Sequence, residues 1–174
     1  MWLIFGLGIW ALSPSLEGLW ERPCDRGTRQ FQSFSGPHSH SQDILYRDPS
    51  CSIPVLRFEN LGRYETRPGE IDFTFSRVLV TVESSEMLHD FRVRRVCGAS
   101  DWTLGLKKDV TGLRCAFFQR DRLIQVPRAG EGRYGIWKIE GAQLYFGRLD
   151  RATPGTSPAL RPREWDLRPY FKQP

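Results

Sequence analysis

The sequence lacks the residue patterns that mark most hydrolases and metalloproteins. It has no CxxC or HxxxH spacing for zinc, no HExxH motif and no nucleophile elbow. Of its three histidines, His38 and His40 fall in a segment, SGPHSHS, that we interpret as a loop, and His89 has no obvious partner. We therefore predict no catalytic residues, no metal and no cofactor, and we expect that the protein is not an enzyme.

One glycine motif imitates a nucleotide-binding loop. Gly130-x-Gly132-x-x-Gly135 matches the dinucleotide fingerprint, which requires a strand before it and a helix after it. Gly135 is followed by IWKIE, a pattern typical of a strand, so we interpret the match as accidental.

Long apolar runs and long amphipathic helical patterns are also missing. The one strongly apolar stretch is residues 1–12, and it is too short to cross a bilayer, which needs about 20 residues. Small residues follow it, so we predict a secretory signal peptide over 1–15, with cleavage between Ser15 and Leu16. The expected product is secreted and extracellular, with no transmembrane anchor.

The four cysteines indicate disulfides in an exported chain. They allow three pairings, of which we predict Cys24–Cys51 and Cys97–Cys115, because each pair flanks a contiguous local segment. Cys51 stands between Pro49 and Pro54 at the start of a predicted strand, a rigid position for a disulfide.

Short alternating segments separated by turn residues predict an all-β fold. The strongest signal is residues 70–83, where the apolar positions change parity near Ser76 and Arg77, which predicts a bulge. Further strands are predicted at 30–34, 54–64, 91–96, 102–106, 116–119, 134–140 and 143–148, with Gly141-Ala142 joining the last two as a hairpin. We predict an antiparallel, strongly curved sheet or a lipocalin-like β-barrel, stapled by disulfides, over 16–150.

The rest of the chain, residues 151–174, is rich in proline and arginine. The pattern predicts a tail without strands that lies over the domain or is disordered.

The net charge is +5 and the isoelectric point is about 9.3. For a secreted protein we expect no nucleic-acid partner. The expected anionic partners are heparan sulfate or an acidic surface. A second hypothesis is therefore a protein–protein interaction module with a closed core that binds through its basic face. The basic residues of that hypothesis are Arg92, Arg94, Arg95, Lys107 and Lys108.

Several motifs occur in an order that resembles a known family. They are LEGLWERPC, RDPSCSIPVLRFENLGRY, EIDFTFSRVLVTV, CGASDWTLGLKKDVTGLRC and YGIWKIEGAQLYFGRLDRATPGTSPALRPRE. Together they are similar to the second domain of the adenomatosis polyposis coli down-regulated family of Wnt antagonists. That family has two such domains in tandem, and this chain carries one.

The resemblance implies a barrel-like, disulfide-bonded domain whose apolar interior accommodates a lipid chain. It further implies a lipid or an acylated, Wnt-like protein as partner and antagonism of Wnt signalling by sequestering the acyl chain. Burying an acyl chain stabilises a complex by about 0.8 kcal/mol per methylene and needs no catalytic group. The predicted lipid-binding residues are Phe73, Phe75, Val80, Trp102, Leu104, Phe117, Ile136, Leu144 and Phe146.

Overall fold

The computed structural model describes residues 15–118 and 123–174, so the predicted signal peptide falls almost entirely outside the described residues. From Gly18 onward, the described residues form five consecutive antiparallel strands. These are β1 (Gly18–Asp25), β2 (Thr28–Ser35), β3 (His38–Tyr46), β4 (Pro54–Arg67) and β5 (Glu70–Val82). Pro68 and Gly69, with φ +75° at the glycine, form the turn between β4 and β5, as the sequence predicted.

Among the described residues after β5 there are one α-helix, two short 3₁₀ helices and the remaining strands. After β5 come α1 (Ser85–Arg94), β6 (Lys107–Asp109), β7 (Arg114–Cys115), β8 (Ile124–Gln125), β9 (Gly132–Glu140), β10 (Gln143–Phe146) and β11 (Tyr170–Lys172). The two-residue turn between β9 and β10 confirms the predicted hairpin. No helix within residues 15–118 and 123–174 is long and apolar enough to cross a membrane.

Eight of these strands close into an antiparallel barrel. Their order is β4-β3-β2-β1-β11-β10-β9-β5, and pairing between β4 and β5 completes the circle. β6 pairs with the far half of β5, beyond the point where β9 has left it. The barrel alternative of the predicted fold class is thus confirmed.

A bulge at Ser76 sets which side chains of β5 face inward. Leu61 pairs with Arg77 and the next residue, Gly62, pairs with Phe75, so Ser76 is left without a partner in the register. Its hydroxyl instead donates to the carbonyl of Leu61 at 2.9 Å. The predicted bulge is confirmed, and it brings the apolar residues on both sides of the parity change to the inner face.

Two separate clusters of buried side chains fill the two ends of the barrel. We call the first the barrel cluster; its buried members are Leu16, Trp20, Phe34, Ile71, Leu144 and Tyr170. The second, the cap cluster, packs α1 and the following loops against the inner face of β4 and β5. Its buried members are Leu56, Val78, Val80, Val82, Phe91, Val96, Trp102, Val110, Cys115, Phe117 and Val126.

Both disulfides have the predicted pairing, Cys24–Cys51 and Cys97–Cys115. Cys97 and Cys115 belong to the cap cluster or pack against it. Cys51 lies in the β3–β4 loop, which contacts α1 through an ion pair of 2.7 Å between Arg47 and Glu86. Both covalent links therefore lie at the cap end of the barrel.

Several predicted elements were wrong. Residues 91–96 were predicted as a strand, but most of them belong to α1, which Ser84 caps by accepting a hydrogen bond from the amide of Met87. The predicted strand at 102–106 is a loop, and so are residues 116–118 of the strand predicted at 116–119, whose last residue lies outside the described residues. The predicted loop SGPHSHS is mostly strand, because β3 begins at His38 and the turn is confined to Gly36 and Pro37.

The prediction that strands end before residue 151 was also wrong. β11 inserts between β1 and β10 and is required for closure. The segment leading to it is anchored by Arg161, which donates to the carbonyls of Ile71 and Gly135 and pairs with Asp72 at 2.7 Å. Three residues are too short for a detectable alternation, so the prolines before β11 dominated the pattern.

Candidate functional site

Two cavities, both partly open to the surface, lie between residues of the barrel cluster and residues of the cap cluster. The larger has a volume of about 170 Å³, and the second, of about 140 Å³, adjoins it. Both are lined by Gln32, Phe73 and Arg133, so they meet at these three residues. The second cavity extends toward Ile136 of β9 and Leu149, which follows the end of β10 at Phe146.

One wall of the larger cavity is polar. Gln32, Ser39, Ser41 and Asn60 come from β2, β3 and β4, and Asn60 donates its amide to the hydroxyl of Ser41 at 3.0 Å. Gln32 and Ser39 are 7% and 8% exposed, and neither side chain makes a hydrogen bond to any other residue that the structure describes. Both side chains line the cavity, so their polar atoms are available for hydrogen bonds to water or to a polar ligand there.

The opposite wall is aromatic. Phe73 and Phe75 project from β5 just before the bulge at Ser76, and both are half-buried. The ring of Phe73 lies 6.5 Å from Phe34 and 6.3 Å from Phe146, measured between centroids. These rings form an apolar strip that runs from the barrel cluster into both cavities.

Arg133 stands beside the aromatic wall. It lies directly opposite Phe73 in the pairing of β5 and β9, and its guanidinium is 6.0 Å from the ring centroid of Phe75. One of its terminal nitrogens donates to the carbonyl of Pro154 at 2.8 Å. The guanidinium is thus held at the junction of the two cavities.

A buried polar chain lies next to the cavity on the same inner face. Arg22 donates to Gln30 and to Asp166, each at 2.9 Å, and Gln30 donates to Asp43 at 2.8 Å. Burial raises the pKa of Asp43, although the bond from Gln30 and the charge of Arg22 act in the opposite direction. The ring of Tyr170 lies 4.4 Å from the Arg22 guanidinium, and burial raises its pKa to about 12.

The structure divides the predicted lipid-binding residues into two groups. Phe73, Phe75, Ile136 and Phe146 line the cavities, and Leu144 is fully buried in the adjacent barrel cluster. The other four do not lie there. Val80, Trp102 and Phe117 are interior members of the cap cluster, and Leu104 is 47% exposed on the surface.

The polar wall was missed by the sequence analysis. Ser39 and Ser41 were predicted to lie in a loop and Gln32 was assigned to no face, whereas in β2 and β3 these residues face the interior. The parity of Phe34, two residues after Gln32, is the signal that could have found them, because residues i and i+2 of a strand share a face.

The basic residues of the second hypothesis are mostly occupied within the chain. Arg94 is largely buried, pairs with Asp90 and donates to the carbonyls of Ala116 and Phe117. Arg92 donates to the carbonyl of Trp102 at 2.8 Å. Lys107 pairs with Glu59 at 2.9 Å and Lys108 with Asp101 at 2.7 Å.

No group of three or more metal-ligating side chains was found among the described residues. Glu59 lies 3.1 Å from His40 and 2.9 Å from Lys107. Comparison of the sequence with protein-family models and with curated proteins gave no match.

Proposed function

We propose that this chain is a secreted binding protein that takes an apolar, acyl-type ligand into the cavity between its two clusters. The observation that carries the proposal is the gap in the interior beside Phe73, Phe75 and Phe146. An eight-stranded barrel is just wide enough for side chains to fill it or for one small ligand to enter. Here both ends are packed and the middle is left open to a guest.

The cavity volumes bound the size of the ligand. At about 170 and 140 Å³, the two cavities together reach only the lower end of the range of about 300–1,000 Å³ typical of pockets for drug-sized ligands. A short or medium acyl chain, or the terminal part of a longer one, therefore fits better than a complete long-chain lipid.

The resemblance to the Wnt-antagonist family supports a particular source for the chain. If that family's role is retained, the ligand is the acyl group of a Wnt-like protein, and binding it antagonises signalling. Two disulfides agree with the oxidising compartment that this role requires. The basic-face alternative has less support, because four of its five side chains already have partners inside the chain.

A chain-length series tests the proposal. The dissociation constants of the C4 to C16 straight-chain fatty acids would be measured by isothermal titration calorimetry, with native mass spectrometry for stoichiometry. Each buried methylene is worth about 0.8 kcal/mol, so affinity should rise about fourfold per methylene and level off where the chain outgrows the cavity.

A cavity-filling variant and a matched control locate the binding. Ser39→Leu places a larger side chain in the cavity, whereas Ser35→Leu makes the same change at the exposed end of β2. We expect one acyl chain per protein in the wild type and in Ser35→Leu, and little binding to Ser39→Leu. Absence of binding to the wild type at every chain length, or equal binding to both variants, would refute the proposal.

A further inference from the structure

The guanidinium of Arg133 is a positive charge at the cavity without a matching negative one. Among the residues that the structure describes, no carboxylate lies within ion-pair distance of it; its one hydrogen bond goes to the carbonyl of Pro154. Arg161, by contrast, is paired with Asp72 and Glu70 and donates to two carbonyls. Arg161 is therefore a structural anchor, and Arg133 keeps donor capacity for a guest.

The rest of the cavity lining is consistent with an anionic guest. No aspartate or glutamate appears among the described residues that line either cavity, whereas Gln32 and Asn60 supply amides and Ser39 and Ser41 supply hydroxyls. Gln32 lines both cavities, as Arg133 does, and its buried side chain has no hydrogen bond of its own among the described residues. The junction of the cavities thus contains one guanidinium, that of Arg133, and one side-chain amide, that of Gln32.

An arginine fork and a neutral amide are complementary to a carboxylate. The guanidinium can donate two parallel hydrogen bonds to the two oxygens, and such charged bonds are roughly twice as strong as neutral ones. Phe73 and Phe146 lie beside this junction and can hold an apolar tail. The geometry therefore provides a polar anchor and an apolar strip in one continuous space.

We propose that the preferred ligand of this barrel is a free carboxylic acid with an apolar tail, whose carboxylate binds to Arg133 and Gln32. This inference rests on the proposed function of the same cavity and specifies its ligand class. It also distinguishes two sources of an acyl chain. A free acid carries a negative charge that can pair with Arg133, and an acyl ester on a protein does not.

Three ligands with the same tail test the inference. Octanoate, 1-octanol and methyl octanoate differ only at the polar end, and their dissociation constants would be measured by calorimetry for the wild type, Arg133→Gln, Arg133→Lys and the control Arg63→Gln. Arg63 is an exposed residue of β4 that does not line either cavity. Thermal unfolding of each variant would establish that it is folded.

The expected pattern is specific to the charge. The wild type and Arg63→Gln should bind octanoate about tenfold or more tightly than the alcohol and the ester. Arg133→Gln should lose this preference while its affinity for 1-octanol stays within about twofold, and Arg133→Lys should retain part of it.

Two other outcomes distinguish failure of the inference from failure of the function. If the wild type binds all three ligands equally and Arg133→Gln changes nothing, the cavity binds apolar tails and the carboxylate assignment is wrong. If none of the three ligands binds to the wild type, the proposed function and the ligand class both fail.

Discussion

Arg133 and Phe73 are directly opposed across the β5–β9 pairing, and both side chains line the two interior cavities. A charged group and an aromatic ring thereby share one inner face at the middle of a closed barrel. On either side of them the interior is packed, by Trp20 and Ile71 toward one end and by Val80 and Trp102 toward the other. The pairing register thus sets where a guest could contact both a charge and a ring.

Trp102 should be a stability residue and not a ligand contact. It is 1% exposed, donates its indole N–H to the carbonyl of Val96 at 3.0 Å and packs edge-on against Phe91. We expect Trp102→Ala to lower the free energy of unfolding by about 3–5 kcal/mol, measured by urea denaturation, because it leaves a large hole in the cap cluster. Leu104→Ala, at an exposed site, should change it by no more than about 0.5 kcal/mol. A Trp102→Ala protein of normal stability that no longer binds ligand would contradict this assignment.

Tyr170 should contribute far more to stability than its neighbour Phe171. Tyr170 faces inward, with its ring 5.6 Å from Phe146 and 4.4 Å from the Arg22 guanidinium, whereas Phe171 is 37% exposed. We expect Tyr170→Ala to cost about 3–5 kcal/mol and Phe171→Ala about 1 kcal/mol or less. Equal losses would indicate that β11 acts through its backbone pairing alone.

Asp43→Asn should stabilise the protein increasingly as the pH rises. The pKa of Asp43 is raised above 3.8 in the folded chain by burial, so the folded state binds its proton more tightly than the unfolded state does. This term therefore favours folding at low pH and is lost as the pH rises from about 3.8 through the raised pKa. Urea denaturation from pH 3 to 7 should show that the free energy of unfolding of Asp43→Asn, relative to that of the wild type, increases over that interval. A constant difference would mean that the acidity of Asp43 does not change on folding.

Asp109 and Asp166 provide the internal contrast for that experiment. Their pKa values are lowered, Asp109 chiefly by the hydroxyl of Thr111 and Asp166 by hydrogen bonds from Arg168 that outweigh burial. Their contribution to stability is present above the ordinary value of 3.8 and is lost as the pH falls through the lowered pKa. The pH dependence of wild-type stability combines both opposite effects. The effect of Asp43 is therefore isolated by the difference in the free energy of unfolding between Asp43→Asn and the wild type.

Removing the disulfides should loosen one end of the barrel before the other. Each closes a loop of moderate length, 27 and 18 residues, and is worth about 3 kcal/mol. In Cys97→Ser/Cys115→Ser we expect amide hydrogen exchange to accelerate first in α1 and later around Trp20 and Leu144, as mass spectrometry of exchanged peptides would show. Uniform acceleration would indicate that the two clusters unfold as one unit.

The features that the sequence predicted correctly depend on local patterns. The bulge at Ser76 appears as a change of parity within one strand, and the hairpin at Gly141 as a two-residue turn. The disulfide pairing followed from short separations along the chain. Each of these is decided by residues close together in sequence.

The features that were missed depend on partners distant in sequence. Residues 91–94 alternate like a strand, yet the Ser84 cap and the packing of Phe91 against Trp102 hold them in a helix. Gln32 and Ser39 look like surface residues until the closure of the barrel turns them inward. Tyr170 was assigned to a tail because its partners, Leu144 and Arg22, are identified only by the folded structure.

The position of β11 in the barrel has a consequence for biosynthesis. β1 is made first, but the pairing of Trp20 with Lys172 waits until the ribosome has delivered a segment about 150 residues later. Until then β1 and β10 are unpaired edges, which are prone to associate with other chains. Such distant pairing also slows folding. A nascent chain of this protein should therefore depend on chaperones until β11 has emerged, and stop codons shortly before Tyr170 should yield aggregated chains.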